Sequence, residues 1–414
     1  MKPDDCFQGL LTGTAQRDAF SALREQAEVR ARTLKLPQDK HDDWRLTGLD
    51  AFYDQEFFPA GKALEIPFIE GFMIPGSCRI VFVDGFYHSK LSDLSGQEGI
   101  RVSPLGQEDK SLHAHFDKGM KDSVFAQING RNFTDCAWVH VQGETQQIVH
   151  ILHVTTTGHQ KPVSLYGRAL VVLGAMAKAT LVEEYTGPDS PYLVNTMTEV
   201  VLGEGADLRH IRIQREGAQA VHMGHALVSL SRGAHYDSTT LALGGRFSRH
   251  DQRILHQGEG AEARLDGLIL ADENQVADTH TRIDHLVPDC RSFQQHKCIA
   301  SGNSTAVFSG NIVVHRGARG TDTRQSSRNL LLSNKARIDA QPQLEIMNDD
   351  VSCKHGATMG KLDAEELFYF MSRGLQEAQA RKLLIYAFAA EIMDRIPIPN
   401  LVRSLRESME GRLV

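Results

Sequence analysis

The 414-residue chain has six cysteines, and none of them forms a CxxC pair. A chain this long can build its own hydrophobic core, so a disulfide framework is not expected. The first 13 residues are partly acidic and contain no apolar run typical of a signal peptide. No segment reaches the roughly 18 apolar residues of a membrane span. We therefore expect a cytoplasmic protein with reduced thiols and no contact with a membrane.

Several sequence motifs that carry chemistry are also missing. There is no GxxxxGK[ST] phosphate-binding loop, no complete dinucleotide fingerprint, and neither GxSxG nor HExxH. The formal net charge is −7, which argues against a nucleic-acid partner. Two acidic pairs, Glu183–Glu184 and Asp349–Asp350, stand among turn signals and are interpreted as solvated. None of these features indicates an enzyme.

What the sequence does contain divides it into three parts. Residues 13–37 carry apolar side chains at helical spacing, from Phe20 to Ala31, and Pro37 ends the segment. Between residues 77 and 346, short β-branched runs alternate with glycines, which is typical of strands. Helical patterns return after Lys361. We predict an N-terminal helical region with a crossing segment over 1–75, a β core over 76–347, and a C-terminal helical domain over 348–414.

A weak repeat runs through the β core. The pattern Ala-x-x-x-Gly followed by apolar residues begins at Ala220, Ala263 and Ala306, a constant offset of 43 residues. Its glycines are Gly224, Gly267 and Gly310. A fixed period is typical of a solenoid, and this offset would correspond to two coils of about 21 residues each. The leading prediction is a parallel β-helix, and a β-sandwich is the alternative.

One short segment places Cys353 and His355 one residue apart. In an extended strand, residues i and i+2 share a face, so the thiol and the imidazole would project together. This pair suits zinc, iron or an iron–sulfur cluster, but two ligands are too few for any of them. The missing ligands would come from elsewhere in the fold or from a second subunit. The alternative is a small buried cysteine beside a solvated histidine.

Two further features allow more than one interpretation. Residues 279–298 are rich in histidine and cysteine, but their spacing matches no zinc pattern, so we expect these side chains to line the core. They are His280, His285, Cys290, His296 and Cys298. Near the C-terminus, an apolar stripe either packs on the β core or faces a partner. It comprises Ala380, Leu384, Ala387, Phe388 and Ile392.

Longer segments resemble a known family. The stretch PQLEIMNDDVSCKHGATMGKLDAEELFYFMSRGL, residues 342–375, is similar to the C-terminal hallmark of the SufB/SufD family of iron–sulfur cluster assembly proteins. The segments LPQDKHDDWRLTGLD, RIVFVDGFYHSKLS, RNLLLSNKARIDAQPQLEI and LLIYAFAAEI are similar as well, so the resemblance spans residues 36 to about 393. The chain lacks a cysteine in the segment from Arg328 and reads HGA at His355, and both features favour the SufD branch.

The resemblance implies a mainly β fold with a right-handed parallel β-helix between helical termini. It also implies a scaffold without catalytic activity of its own. SufD would pair with its paralogue SufB through the β-helix ends, or with itself when alone, and would bind the SufC ATPase through C-terminal helices. Cys353 and His355 would then be ligands of a nascent cluster at the subunit interface. The residues predicted to bind a partner are Phe368, Tyr369, Arg373, Leu384 and Phe388.

The resemblance does not decide whether a flavin binds. Two other functions remain open from the residues themselves. One is a β-helix or sandwich enzyme that acts on carbohydrate through surface carboxylates. The other is an interaction module in which Cys353 is buried and inert.

Overall fold

A computed structural model describes residues 3–11, 18–37, 44–61, 68–96, 98–107, 110–116 and 120–412. The start of the predicted N-terminal helix, residues 13–17, and part of the predicted crossing, residues 38–43, lie outside these ranges. None of the described helices is both long enough and apolar enough to cross a membrane.

Within the described ranges, the chain forms two sheets of ten strands each. Apart from antiparallel pairs at the N-terminal end, neighbouring strands are parallel, and successive strands alternate between the sheets. The first sheet contains β1 (Phe58–Pro59), β4 (Ile100–Ser103), β5 (Asp135–Val141), β7 (Val163–Leu173), β9 (Tyr192–Leu202), β11 (Val221–Leu230), β13 (Phe247–His256), β15 (Val276–His285), β17 (Thr305–Val314) and β19 (Arg337–Ile346). The second sheet contains β2 (Cys78–Val83), β3 (Phe86–Tyr87), β6 (Glu144–Val154), β8 (Lys178–Thr186), β10 (Asp207–Arg215), β12 (His235–Ala242), β14 (Glu262–Ala271), β16 (Arg291–Ala300), β18 (Thr321–Leu331) and β20 (Val351–Gly360). This arrangement is a parallel β-solenoid of about eight turns, which confirms the predicted β-helix over the sandwich.

The length of one turn differs from the prediction. One turn consists of two strands, one from each sheet, so that β15 pairs with β17 and β17 with β19. The three copies of the sequence repeat fall on β11, β14 and β17, which are three strands apart. The repeat is therefore one and a half turns, and the prediction of two coils of about 21 residues each was wrong. Its glycines, Gly224, Gly267 and Gly310, consequently belong to the first, second and first sheets in alternation.

Seven described α-helices flank the solenoid: α1 (Pro3–Leu11), α2 (Ser21–Leu34), α3 (Asp50–Tyr53), α4 (Val124–Asn132), α5 (Ala364–Ser372), α6 (Glu377–Met393) and α7 (Pro399–Glu410). The N-terminal helices cover part of the first sheet through buried aromatic residues that include Phe52, Phe125 and Trp138. Helices α6 and α7 cover the outer face of the second sheet. Because β20 still belongs to that sheet, the solenoid extends beyond residue 347, and the C-terminal helices begin at Ala364.

The interior between the sheets has an apolar part and a polar part. Leu181, Val228, Leu265 and Ile283 belong to one buried apolar cluster. Further along the same strands, inward positions are occupied by polar side chains, including Glu183. The interpretation of Glu183–Glu184 as a solvated pair was wrong, since both residues lie within β8 and are 1% and 0% exposed.

Candidate functional site

The C-terminal end of the solenoid is open. Among the described residues, β19 pairs only with β17 and β20 only with β18, so each of the last strands has one unpaired edge. Eight of the ten residues of β20 are exposed and none is buried. We call these two strands the open end. Such an edge presents backbone donors and acceptors that another chain can pair with.

Cys353 and His355 lie in the inward-facing row of β20, as their spacing predicts. Cys353 is half-buried and packs against the interior cluster of Ile312, Val314 and Ala318. His355 stands further along the strand and is exposed. In the sheet register, Thr323 is the partner of Cys353 and Gln325 is the partner of His355. The two side chains are thus carried on one strand at the rim of the solenoid interior.

Burial raises the pKa of the Cys353 thiol, and the nearby Asp322 carboxylate raises it further. A metal that binds there would have to displace the thiol proton. Within the described part of the chain, no three His, Cys, Asp or Glu side chains are grouped closely enough to hold a metal ion. Cys353 and His355 therefore constitute at most part of a ligand set.

The histidine- and cysteine-rich segment is not assembled into a site. His285 is buried and stacks on His256 with ring centroids 4.4 Å apart, and His296 stacks on Phe308 at 4.0 Å. Burial lowers the pKa of His285 to about 4 and that of His296 to about 3, so both rings are neutral at pH 7. Cys290 and Cys298 are buried, whereas His280 faces outward beside Asp278 at 3.0 Å. The prediction that these residues line the core holds for all but His280.

A groove of about 930 Å³ lies between the open end and helices α5 and α6. Its lining includes Arg328, Met359, Tyr369, Leu384 and Phe388. Helix α5 has no buried residue, and its Phe368 and Tyr369 are 72% and 54% exposed. Of the five predicted partner-binding residues, Phe368, Tyr369 and Arg373 are thus exposed, whereas Leu384 and Phe388 are half-buried against the groove.

The apolar stripe of helix α6 is divided between the two roles that the sequence left open. Ala380 and Ile392 are buried against the second sheet together with Ile385, Ala389 and Met393, and Phe388 packs partly against the same cluster. Leu384, Ala387 and Phe388 also line the groove. The helix serves both surfaces because it is apolar on more than one side.

Charged groups also hold α6 in place. The buried Lys297 ammonium pairs with Glu391 and donates a hydrogen bond to the Phe388 carbonyl oxygen at 2.8 Å. Arg328 reaches the same carboxylate at 3.2 Å. Burial lowers the pKa of Lys297, and the hydrogen bond from Lys297 lowers the pKa of Glu391. Near the helix C-terminus, Arg395 pairs with the buried Asp266.

Sequence analysis missed a buried polar cluster in the interior. Glu183 accepts a hydrogen bond from Thr198 at 2.7 Å and contacts His210 Nε2 at 3.0 Å, and His210 Nδ1 lies 2.9 Å from the Tyr236 hydroxyl. Burial opposes ionisation of Glu183, but the hydrogen bond and charge of His210 and the charge of Arg212 outweigh it and lower the pKa to about 2. The available signal was the alternation in LVEEY, which puts Glu183 on the same face as Leu181 and Tyr185.

Comparisons with known proteins agree with this structure. The family model described as "SUF system FeS cluster assembly, SufBD core domain" matches residues 153–388. A SufBD family iron–sulfur cluster assembly protein of Synechocystis is 32% identical over 98% of this chain and 94% of its own length. The SufD protein of Escherichia coli is 31% identical over 91% of this chain and 89% of its own, and the SufB protein of Bacillus subtilis is 24% identical over 79% and 72%. The family model covers more than half of this chain, and the Escherichia coli SufD protein is more similar to the chain than the Bacillus subtilis SufB protein is. With its parallel solenoid, the chain is therefore a SufD-like member of the SufBD family of iron–sulfur cluster assembly proteins.

Proposed function

We propose that this chain is a scaffold subunit, not an enzyme, on which an iron–sulfur cluster is assembled at an interface with a SufB-type paralogue in the cytoplasm. The observation that carries the proposal is the open end, where a thiol and an imidazole face the same way on an exposed edge strand. A SufC-type ATPase bound to the C-terminal helices would supply the ATP chemistry, for which this chain has no phosphate-binding loop.

The open end has the properties of a pairing surface. It combines unpaired strand edges with exposed apolar side chains, since Ile346 and Met359 are 45% and 52% exposed, and Met347, directly after β19, is 49% exposed. A strand added to β19 or β20 would satisfy the free backbone groups and cover these side chains. A related solenoid end is a suitable occupant because its strands match in spacing. Two copies of this chain would pair in the same way when the paralogue is missing.

Cys353 and His355 supply two of the ligands that the cargo needs. Thiolate and imidazole are both ligands that iron and iron–sulfur clusters accept. The remaining ligands would come from the paralogue across the interface. Because the set is completed only on pairing, this chain alone would not retain a cluster.

Helix α5 is the surface that we assign to the ATPase. It exposes Phe368 and Tyr369 and has no buried residue of its own, so a partner can cover it without disturbing the packing of the solenoid. Helices α6 and α7 would act as the fixed base, because their buried faces are used against the second sheet.

The test is co-expression of the chain with a SufB-type paralogue and a SufC-type ATPase, followed by iron and sulfide analysis of the purified complex. His355→Ala and Cys353→Ser should leave the complex assembled but lower its iron content by about tenfold or more, since each removes a metal ligand. His235→Ala, which removes an exposed histidine away from the open end, is the matched control. Iron content that stays the same in His355→Ala and His235→Ala would contradict the ligand role.

The same co-expression tests the ATPase surface. Phe368→Asp should release the ATPase while the paralogue remains bound, whereas Val29→Asp, at a 66% exposed site on α2, should release neither. Retention of the ATPase by Phe368→Asp would show that α5 is not the docking surface.

A further inference from the structure

Gln325 is a buried amide that none of the described residues satisfies. Its side chain is 3% exposed, and neither Oε1 nor Nε2 has a hydrogen-bond partner in the part of the chain that the structure describes. Buried polar groups are almost always hydrogen-bonded in native proteins, so an unpaired amide in a defined place needs a reason.

The interior is shaped around this amide. Gly310 lies on the facing strand β17, and a Cβ added there would lie 1.7 Å from Gln325 Nε2. Any side chain at residue 310 would therefore displace the amide. The third glycine of the sequence repeat thus makes room for Gln325.

Gln325 lies directly behind His355. The two residues are register partners on β18 and β20, and both occupy inward positions of their strands. Parallel strands are about 4.8 Å apart, so a glutamine amide and an imidazole at paired positions are within reach of a hydrogen bond. His355 is on the last strand and exposed, and its ring is not hydrogen-bonded to the amide in the arrangement that the structure shows.

A histidine that binds a metal through one ring nitrogen commonly donates the N–H of the other to a neighbouring acceptor, which fixes the tautomer and the ring orientation. We propose that Gln325 is a positioning residue for His355. When the exposed His355 side chain rotates toward the interior, the amide oxygen accepts a hydrogen bond from one ring nitrogen, and the other nitrogen presents its lone pair at the open end. The metal-binding consequence rests on the proposed function, whereas the hydrogen bond itself does not.

Gln294 is the internal control for this proposal. It occupies the same row one turn further from the open end, and Gln325 separates it from His355. It is also a buried amide, 3% exposed, and its Oε1 accepts a hydrogen bond from Thr281 at 2.7 Å. Replacing either glutamine by methionine keeps the length of the side chain and removes only the amide.

The first measurement uses the full-length chain labelled with ¹⁵N-histidine, in which ring nitrogen shifts report the tautomer. The His355 signals are assigned by their loss in His355→Ala. Gln325→Met should convert His355 from one dominant tautomer to the mixture of a free imidazole, and Gln294→Met should leave it unchanged. Gln325→Asn, which withdraws the amide by one methylene, should act like Gln325→Met and serves as the second variant if the methionine variant does not fold. Unchanged His355 shifts in a folded Gln325 variant would overturn the proposal.

The second measurement separates this proposal from the proposed function. In the complex with the paralogue, Gln325→Met should lower iron affinity by about 10-fold or more, and it should have no further effect in a His355→Ala background. If the tautomer changes but neither His355→Ala nor Gln325→Met affects iron, the positioning holds and the ligand role fails. If His355→Ala loses iron while Gln325→Met alters neither tautomer nor iron, the ligand role holds and the positioning fails.

Discussion

The two ends of the solenoid are built from the same kind of strand but finished in different ways. At the N-terminal end, all six residues of β2 are buried, and β3 and β4 run antiparallel to their neighbours and close the sheets. At the C-terminal end, β19 and β20 keep the parallel arrangement to the last residue, and no residue of β20 is buried. An uncovered solenoid end exposes strand edges that another chain can pair with, so we expect the N-terminal end to contribute stability and the C-terminal end to take part in assembly.

The largest contrast should appear when one apolar side chain is removed from each end. Phe82→Ala in β2 deletes a ring that is 1% exposed and stacked on His153 at 5.0 Å, and it should lower the free energy of unfolding by about 3–5 kcal/mol. Met359→Ala in β20 should change it by less than about 0.5 kcal/mol, because the side chain is already exposed. Urea titration of the isolated chain measures both values. Similar losses in the two variants would show that the C-terminal end is covered in solution.

A pH titration contrasts the buried acid of the interior with an exposed acid next to the open end. The pKa of Glu183 is about 2 in the folded chain, below its ordinary value of 4.5, so its ionised form stabilises the fold. This contribution, about 3 kcal/mol, is fully present above the ordinary value and is lost as the pH falls from about 5 toward 2.

The variant Glu183→Gln should therefore be less stable than the parent at pH 7 and nearly equal to it close to pH 2. As the control, Asp349→Asn at an exposed site should change the free energy of unfolding by less than about 0.5 kcal/mol. Urea titrations between pH 7 and 2 measure the difference. A constant gap between the parent and Glu183→Gln across this range would contradict the lowered pKa.

Two glycines of the second sheet allow the finest comparison. A Cβ at Gly267 would lie 2.3 Å from His296 Nδ1, whereas a Cβ at Gly356 in β20 would have nothing within 4 Å. Gly267→Ala should destabilise the chain by about 1–3 kcal/mol through overcrowding, and Gly356→Ala should have an effect within about 0.5 kcal/mol. Thermal unfolding of the two variants side by side measures this difference. Equal unfolding midpoints of the two variants would contradict this prediction and would mean that the side chains around His296 rearrange to accommodate the added methyl group.

The sequence predicts the class of fold correctly, but it does not predict how many residues form one turn of the solenoid. β-Branched runs and a constant glycine offset predict a solenoid, and the structure confirms that class of fold. The turn length was missed because the repeat connects strands of opposite sheets, and composition does not reveal which sheet a strand joins. Strand pairing is a long-range property, and a local pattern carries little information on it.

The candidate site was predicted to a similar extent. Alternation along a strand correctly placed Cys353 and His355 on one face. It did not reveal Gln325, which lies on the preceding turn and is brought beside His355 only by the register of β18 and β20. Glu183 was misread because a pair of acids beside glycine and proline is usually a surface turn, and here the apolar residues around it decide its burial.

The sequence repeat spans one and a half turns, and this limits how the solenoid can be lengthened or shortened. One additional copy of the repeat would add three strands and place the next strand in the opposite sheet, away from its hydrogen-bonding partner. A tandem duplication of a segment of that length would therefore not fit the fold. Only whole turns, each with one strand from either sheet, can be inserted or removed without moving the following strands into the opposite sheet. The orientation of the terminal thiol and imidazole relative to the helices beside them is therefore set by an integer count of coils.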